Sequence, residues 1–162
     1  MVIIKTIKGD LLEGDDQYIA QQCNCCTVIA HGLSKTIADK WKWGNIYSRR
    51  SRIGNRNCAQ KPDIPGTIEI IGDEHKYVIC MFGQYAPGKP GKFNKYYPSD
   101  YYTDTYQDRK KYFQECLTEI ENSGIKHIAM PYLIGCGLAG GNWTDYALML
   151  HNSSISITLY KL

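Results

Sequence analysis

Residues 2–7 are rich in β-branched side chains up to the break at Gly9-Asp10, which predicts a first strand. Residues 18–25 predict a second. Over 34–43, Ile37, Ala38 and Trp41 recur at helical spacing behind Ser34, a residue type suited to an N-cap. A polar, irregular stretch follows over 44–66, punctuated by Gly44, Gly54, Pro62, Pro65 and Gly66. Residues 67–71 and 76–82 read as two strands around Gly72-Asp73-Glu74-His75. The second is almost wholly apolar, as a strand buried on both faces would be. Residues 83–104 form a long Gly/Pro/Tyr/Lys loop. The clearest helix is 105–122, where Tyr112, Phe113, Cys116, Leu117 and Ile120 make one stripe that stops at Ser123-Gly124. A strand over 125–131, a glycine-rich turn over 135–141, a short helix over 144–150 and a strand over 155–159 complete the chain. Strands first, then helix alternating with strand, predict an α/β sandwich whose mixed sheet is covered on both faces.

Composition narrows the partners. The chain has 162 residues, enough for one domain with a sizeable core, and no repeat or linker divides it. Charged residues make up 22% and apolar residues 43%, an ordinary globular balance. A net charge of +3 is too small to argue a nucleic-acid partner, and the runs at 49–52 and 109–111 read as solvated surface. The opening MVIIKTIKGDLL is too short and too charged for a signal peptide. No apolar run approaches the ~20 residues of a membrane span. A cytoplasmic protein without membrane contact is expected.

Seven cysteines, three of them within 23–26, raise metal and redox chemistry. Cys23 and Cys26 have C-x-x-C spacing, but a structural zinc site takes four ligands and no second pair is present. A redox pair belongs at the start of a helix, whereas this one closes a strand. An odd count also argues against a disulfide framework. The expectation is reduced thiols buried as small hydrophobes, with no metal and no cofactor.

Two turns carry more. PYLIGCGLAGGNW (131–143) lies between a strand and a helix, and Ala30-His31-Gly32-Leu33 lies between another strand and another helix. Glycines let the backbone approach a ligand, and successive N–H groups ahead of a helix cradle an anion. Two such loops at strand carboxyl ends can face each other across one crevice, an arrangement that suits a diphosphate.

In these residues the chain resembles the macro domain, the ADP-ribose-binding module. The likeness runs almost end to end, through Gly9-Asp10-Leu11, Cys23-Asn24-Cys25, the loop ending at Leu33, the PYLIGCGL of 131–138 and the closing ITLYKL of 157–162. The CNC and IGCGL elements look closest to the branch of ADP-ribose-1″-phosphate phosphatases and small deacylases. The resemblance implies a three-layer α/β/α sandwich spanning 1–162 and ADP-ribose, or a derivative of it, as ligand. It implies that Asp10, following Gly9, accepts from the adenine amino group and that the Leu11 backbone meets the ring. Asn24 would bind the distal ribose. The Gly32 and Leu33 backbone would hold one side of the phosphates, and Gly135, Cys136, Gly137 and Leu138 the other. Phe82 would pack near the distal ribose.

The catalytic solutions familiar in that family are missing. Ser34 stands about where one group has an aspartate. Gly83-Gln84 replaces a lysine nucleophile, and Ala139 its partner aspartate. The groups left near the distal ribose give a catalytic set of Asn24, His31 and Ser34, in which Asn24 positions a water and His31 deprotonates it. The expected activity is phosphate removal from ADP-ribose-1″-phosphate or a related hydrolysis. The other reading is a binder of ADP-ribosylated partners or of a free nucleotide signal. The tyrosine-rich stretch 85–106 is expected to be either a lid or a cover for the sheet edge.

Overall fold

The computed structural model describes residues 2–90 and 102–162. Six strands, β1 (Ile4–Lys8), β2 (Tyr18–Gln22), β3 (Ile68–Gly72), β4 (Tyr77–Met81), β5 (His127–Pro131) and β6 (Ser156–Lys161), form one sheet in the order β1-β6-β5-β2-β4-β3. Neighbours run parallel except β3, which returns antiparallel along β4. Helices α1 (Leu33–Lys40), α2 (Tyr106–Asn122) and α3 (Trp143–His151) are joined by two 3-10 turns, Leu11–Glu13 and Tyr47–Arg49. The mixed α/β sandwich expected from the sequence is the observed fold. No helix among the described residues is long and apolar enough to cross a membrane.

Alternation along the strands builds two cores. Ile19, Val78, Cys80 and Ala129 join Ile37 of α1 and the buried side chains of 41–47 on one face. Ala20, Ile79, Met81, Ile128 and Met130 join Phe113, Leu117, Tyr146 and Leu150 of α2 and α3 on the other. Each inner strand thus loses water on both sides, which explains why β4 carries no polar alternation.

Several sequence expectations shift for local reasons. The strand expected over 18–25 ends at Gln22, because Asn24 turns the chain: its Oδ1 accepts from the Cys26 and Thr27 amides, both at 2.9 Å. Ser34 is not the N-cap of α1. Gly32 is, and the Ser34 hydroxyl donates instead to Gln21 Oε1 at 2.5 Å. The helix stops at Lys40 because Trp41 turns extended and stacks on Trp43. The stretch 44–66 is not plain surface: Ile46, Tyr47, Arg50, Cys58 and Ala59 are buried. Thr105 caps α2 with Asp108 in a reciprocal capping box. Of the stretch 85–106, residues 91–101 lie outside the described residues, and so does the choice between lid and cover.

Arg109 of α2 ties the carboxyl end of the sheet together. It is buried, and all five of its donors are used. Its Nε and Nη2 meet Asp104 at 3.0 and 2.7 Å, Nη2 also reaches Ala86 O at 2.9 Å, and Nη1 reaches Gly88 O and Ala139 O at 2.6 and 3.0 Å. Asp104 in turn accepts from the Tyr85 and Ala86 amides at 2.9 and 3.0 Å. Removing one partner leaves a buried charge uncompensated. Arg109→Leu is therefore expected to lose about 3–5 kcal/mol of stability in denaturant titration, and adding Asp104→Asn should return part of it. An Arg109→Leu protein as stable as the parent would contradict this account.

At the opposite end, Asp16 accepts from Tyr160 Oη at 2.5 Å and pairs with His127 Nε2 at 3.0 Å. Burial would raise its pKa, but these partners outweigh burial and hold it below the ordinary 3.8. A depressed carboxylate adds stability above its unfolded pKa and loses it as pH falls through the folded one. Asp16→Asn should lower the melting temperature at neutral pH, and the gap should close under acid. A gap that persists unchanged as pH falls through the folded pKa would show that the charge is not the cause.

Candidate functional site

The loops after β2, β4 and β5 enclose a crevice of about 580 Å³, within the usual range for a small-ligand site. It opens at the carboxyl ends of the parallel strands, between β2 and β5, where the strand order reverses direction. These two strands share only the register pair Ile19↔Ala129, whereas β2 and β4 stay paired from Tyr18↔Tyr77 to Gln22↔Met81.

The first wall is 24–34. Asn24 Oδ1 is occupied by loop amides and by the Thr27 hydroxyl at 3.1 Å, but its Nδ2 has no partner among the described residues. Arg50 braces this wall from inside. Its Nη1 and Nη2 hold Thr27 O and Asn24 O at 2.7 and 2.8 Å, its Nε meets Asp63 at 2.8 Å, and its guanidinium lies 4.7 Å from the Tyr47 ring centre. Tyr47 Oη accepts from the Asn24 amide at 3.0 Å, and Asn57 Oδ1 takes those of Val28 and Ile29 at 2.9 and 3.1 Å. The amides of Gly32, Leu33, Ser34 and Lys35, at the uncapped start of α1, have no acceptor among the described residues.

The second wall is 131–139. Its carbonyls at Pro131, Leu133, Gly135 and Gly137 accept from amides within the loop, and Ala139 O goes to Arg109. The amides of Gly135, Gly137, Leu138 and Ala139 have no acceptor among the described residues. Gly135 sits at φ +75°, and a Cβ there would lie 2.8 Å from both Gln22 Oε1 and the Tyr146 ring, so only glycine fits. Both walls thus offer unused N–H groups where their carbonyls are engaged, which is the arrangement of an anion cradle.

Of the residues expected at the site, Asn24, His31, Gly32, Leu33, Ser34, Gly135, Gly137 and Leu138 line the crevice. Leu138 stands at its lip, 86% exposed. Phe82 does not line it: it is buried in the core, 5.6 Å from the Arg50 guanidinium. Cys136 turns inward toward Gly141, and burial pushes its thiol up to about 11. Gly9, Asp10 and Leu11 lie at the carboxyl end of β1 and do not border the crevice. Gly9 donates to Lys161 O at 2.9 Å, Asp10 Oδ1 caps Leu12 at 2.9 Å, and Leu11 is buried. Gln22, Tyr47 and Asn57 line the crevice without having been singled out, and Gln84, named only as standing where a lysine nucleophile is missing, lines it too. Tyr47 and Asn57 fall in the stretch that reads as irregular, and two glutamines carry no motif.

The seven cysteines are free thiols, and all but Cys136 are buried. Burial raises Cys25 and brings Cys26 up to about 12. Burial likewise raises the Tyr47 phenol. Among the described residues no group of three or more His, Cys, Asp or Glu is placed to hold a metal ion.

No family model matches the chain, and no curated protein sequence does. Solved structures do resemble it. The macrodomain of Mycobacterium tuberculosis DarG superposes with a TM-score of 0.66 at 17% identity, covering 99% of this chain and 98% of that one. The macrodomain of Thermus aquaticus DarG gives 0.60 at 11% identity, covering 100% and 99%. Thermosipho africanus DarTG in complex with ADP-ribose gives 0.60 at 14% identity, covering 95% of this chain and 40% of that one. The chain has the macrodomain fold.

Proposed function

We propose that the crevice binds ADP-ribose, or a derivative of it, with the diphosphate between the two amide-bearing walls. The observation that carries this is the set of backbone N–H groups on facing loops that find no acceptor among the described residues. The ADP-ribose complex of the similarly folded Thermosipho africanus DarTG supports it. Asp10 lies beyond the crevice at the carboxyl end of β1, and its Oδ2, which makes no hydrogen bond among the described residues, meets an adenine amino group only where the ligand extends past the crevice lining.

The reading extends to hydrolysis at the distal ribose, with a phosphate as leaving group. Asn24 Nδ2 orients a water, His31 takes its proton, and loop amides hold the charge that develops on the phosphate. Ser34 does not donate to the reacting groups here, since its hydroxyl proton is already given to Gln21. A second reading is a non-catalytic reader of ADP-ribosylated partners, or a sequesterer of free nucleotide. It is favoured by a specific feature: among the described residues no carboxylate and no lysine borders the crevice, and His31 is exposed.

Calorimetry with ADP-ribose should show saturable binding and a rise in melting temperature, with AMP and GDP much weaker. Absence of heat at saturating ADP-ribose would remove the proposal. With ADP-ribose-1″-phosphate as substrate, His31→Ala should slow phosphate release by about 10²-fold or more while leaving affinity within about twofold. Equal, measurable rates in the two proteins would remove His31 from the chemistry, and no release by the parent would leave the reader as the surviving function.

A further inference from the structure

Gln22 presents a buried acceptor that no described residue uses. Its Nε2 donates to Gln84 Oε1 at 2.7 Å, and Gln84 Nε2 donates to Ala86 O at 3.0 Å. A carbonyl only accepts, and Ala86 O also receives Arg109 Nη2 at 2.9 Å. Gln84 must therefore turn its nitrogen to Ala86 and its oxygen to Gln22, and Gln22 must turn its nitrogen to Gln84. The relay leaves Gln22 Oε1 as the free end with its polarity fixed. That oxygen is buried and has no partner among the described residues. It occupies the space beside Gly83 and Gly135, where a Cβ at either position would come within 2.8 Å of it. Gln22 lines the crevice beside Gly135 of the second wall.

A buried acceptor without a donor is costly, and the relay prevents the carboxamide from rotating to relieve it. A phosphate oxygen is itself an acceptor and would be repelled there. A sugar hydroxyl supplies the missing proton. We propose that Gln22 is a specificity-determining residue of the crevice, its Oε1 accepting a hydrogen bond from a ligand hydroxyl, so that this point of the wall selects a sugar over a phosphate. The assignment rests on the ADP-ribose reading, in which the hydroxyl belongs to the distal ribose.

The test compares ADP-ribose with ADP, which lacks that ribose, by calorimetry on the parent, Gln22→Met and Gln84→Met. The parent should prefer ADP-ribose. Gln22→Met should weaken ADP-ribose by about tenfold and leave ADP within about twofold, because only the hydroxyl loses its partner. Gln84→Met, which frees the Gln22 carboxamide to rotate, should weaken ADP-ribose by a smaller factor in the same direction, and it decides the matter if Gln22→Met does not fold. Equal weakening of both nucleotides would reduce Gln22 to general packing and overturn the assignment. Unchanged ADP-ribose affinity would overturn it as well. A parent protein that binds neither nucleotide would instead overturn the ADP-ribose reading and carry this one down with it.

Discussion

Two guanidinium groups, each with a side chain only 1% exposed, turn five loop carbonyls around the crevice into the protein. Arg50 draws the carbonyls of Asn24 and Thr27 inward, and Arg109 does the same for Ala86, Gly88 and Ala139. A carbonyl bound to a buried cation no longer presents its negative end to a ligand. The unused amides of both walls then dominate the local field. Asp63 and Asp104 balance the two cations, so the walls gain shape and polarity without a buried net charge.

That arrangement accounts for how an anion can be held where, among the described residues, almost no charged side chain borders the crevice. Neutral dipoles fixed by the fold cost nothing to reorganise when a ligand enters, and the uncapped start of α1 adds to them. The lips are apolar, with Ile29 on one side and Leu133 and Leu138 on the other. Apolar lips lower the local dielectric once a ligand fills the space, which strengthens each amide contact. The same composition limits the chemistry. Among the described residues, His31 is the one imidazole on the crevice lining, and no carboxylate or lysine joins it.

Much of the fold was legible because its signals are local. The stripe of Phe113, Cys116, Leu117 and Ile120 sets α2, the apolar run 77–82 betrays a strand covered on both faces, and the glycine turns mark both walls. The exact ends were less legible. The Asn24 side chain stops β2, and Ser34 bonds Gln21 rather than capping α1, and both choices depend on tertiary neighbours. The stretch 44–66 was the real blind spot. Its burial depends on Arg50 finding Asp63 and two carbonyls, partners spread between Asn24 and Asp63 that no periodicity encodes. Gln22 and Gln84 stayed invisible for the same reason: a glutamine pair becomes a relay only when two strands set them side by side.

The cysteine cluster that invites a metal or redox reading becomes, in the folded chain, packing behind the first wall. Cys23, Cys25 and Cys26 are all buried, and Cys23 and Cys25 donate their amides to Met81 O and Tyr85 O at 2.7 and 2.9 Å. The Cys26 carbonyl accepts from Ala59 at 2.7 Å. Their backbones therefore stitch the 23–27 turn to the segments after β4 and around residue 59, and small, polarisable side chains fill the space that closeness leaves. A larger hydrophobe at any of the three would push the turn outward and carry Asn24 with it. The thiols are suited to this place by size, and the chemistry of the crevice is left to the backbone they position.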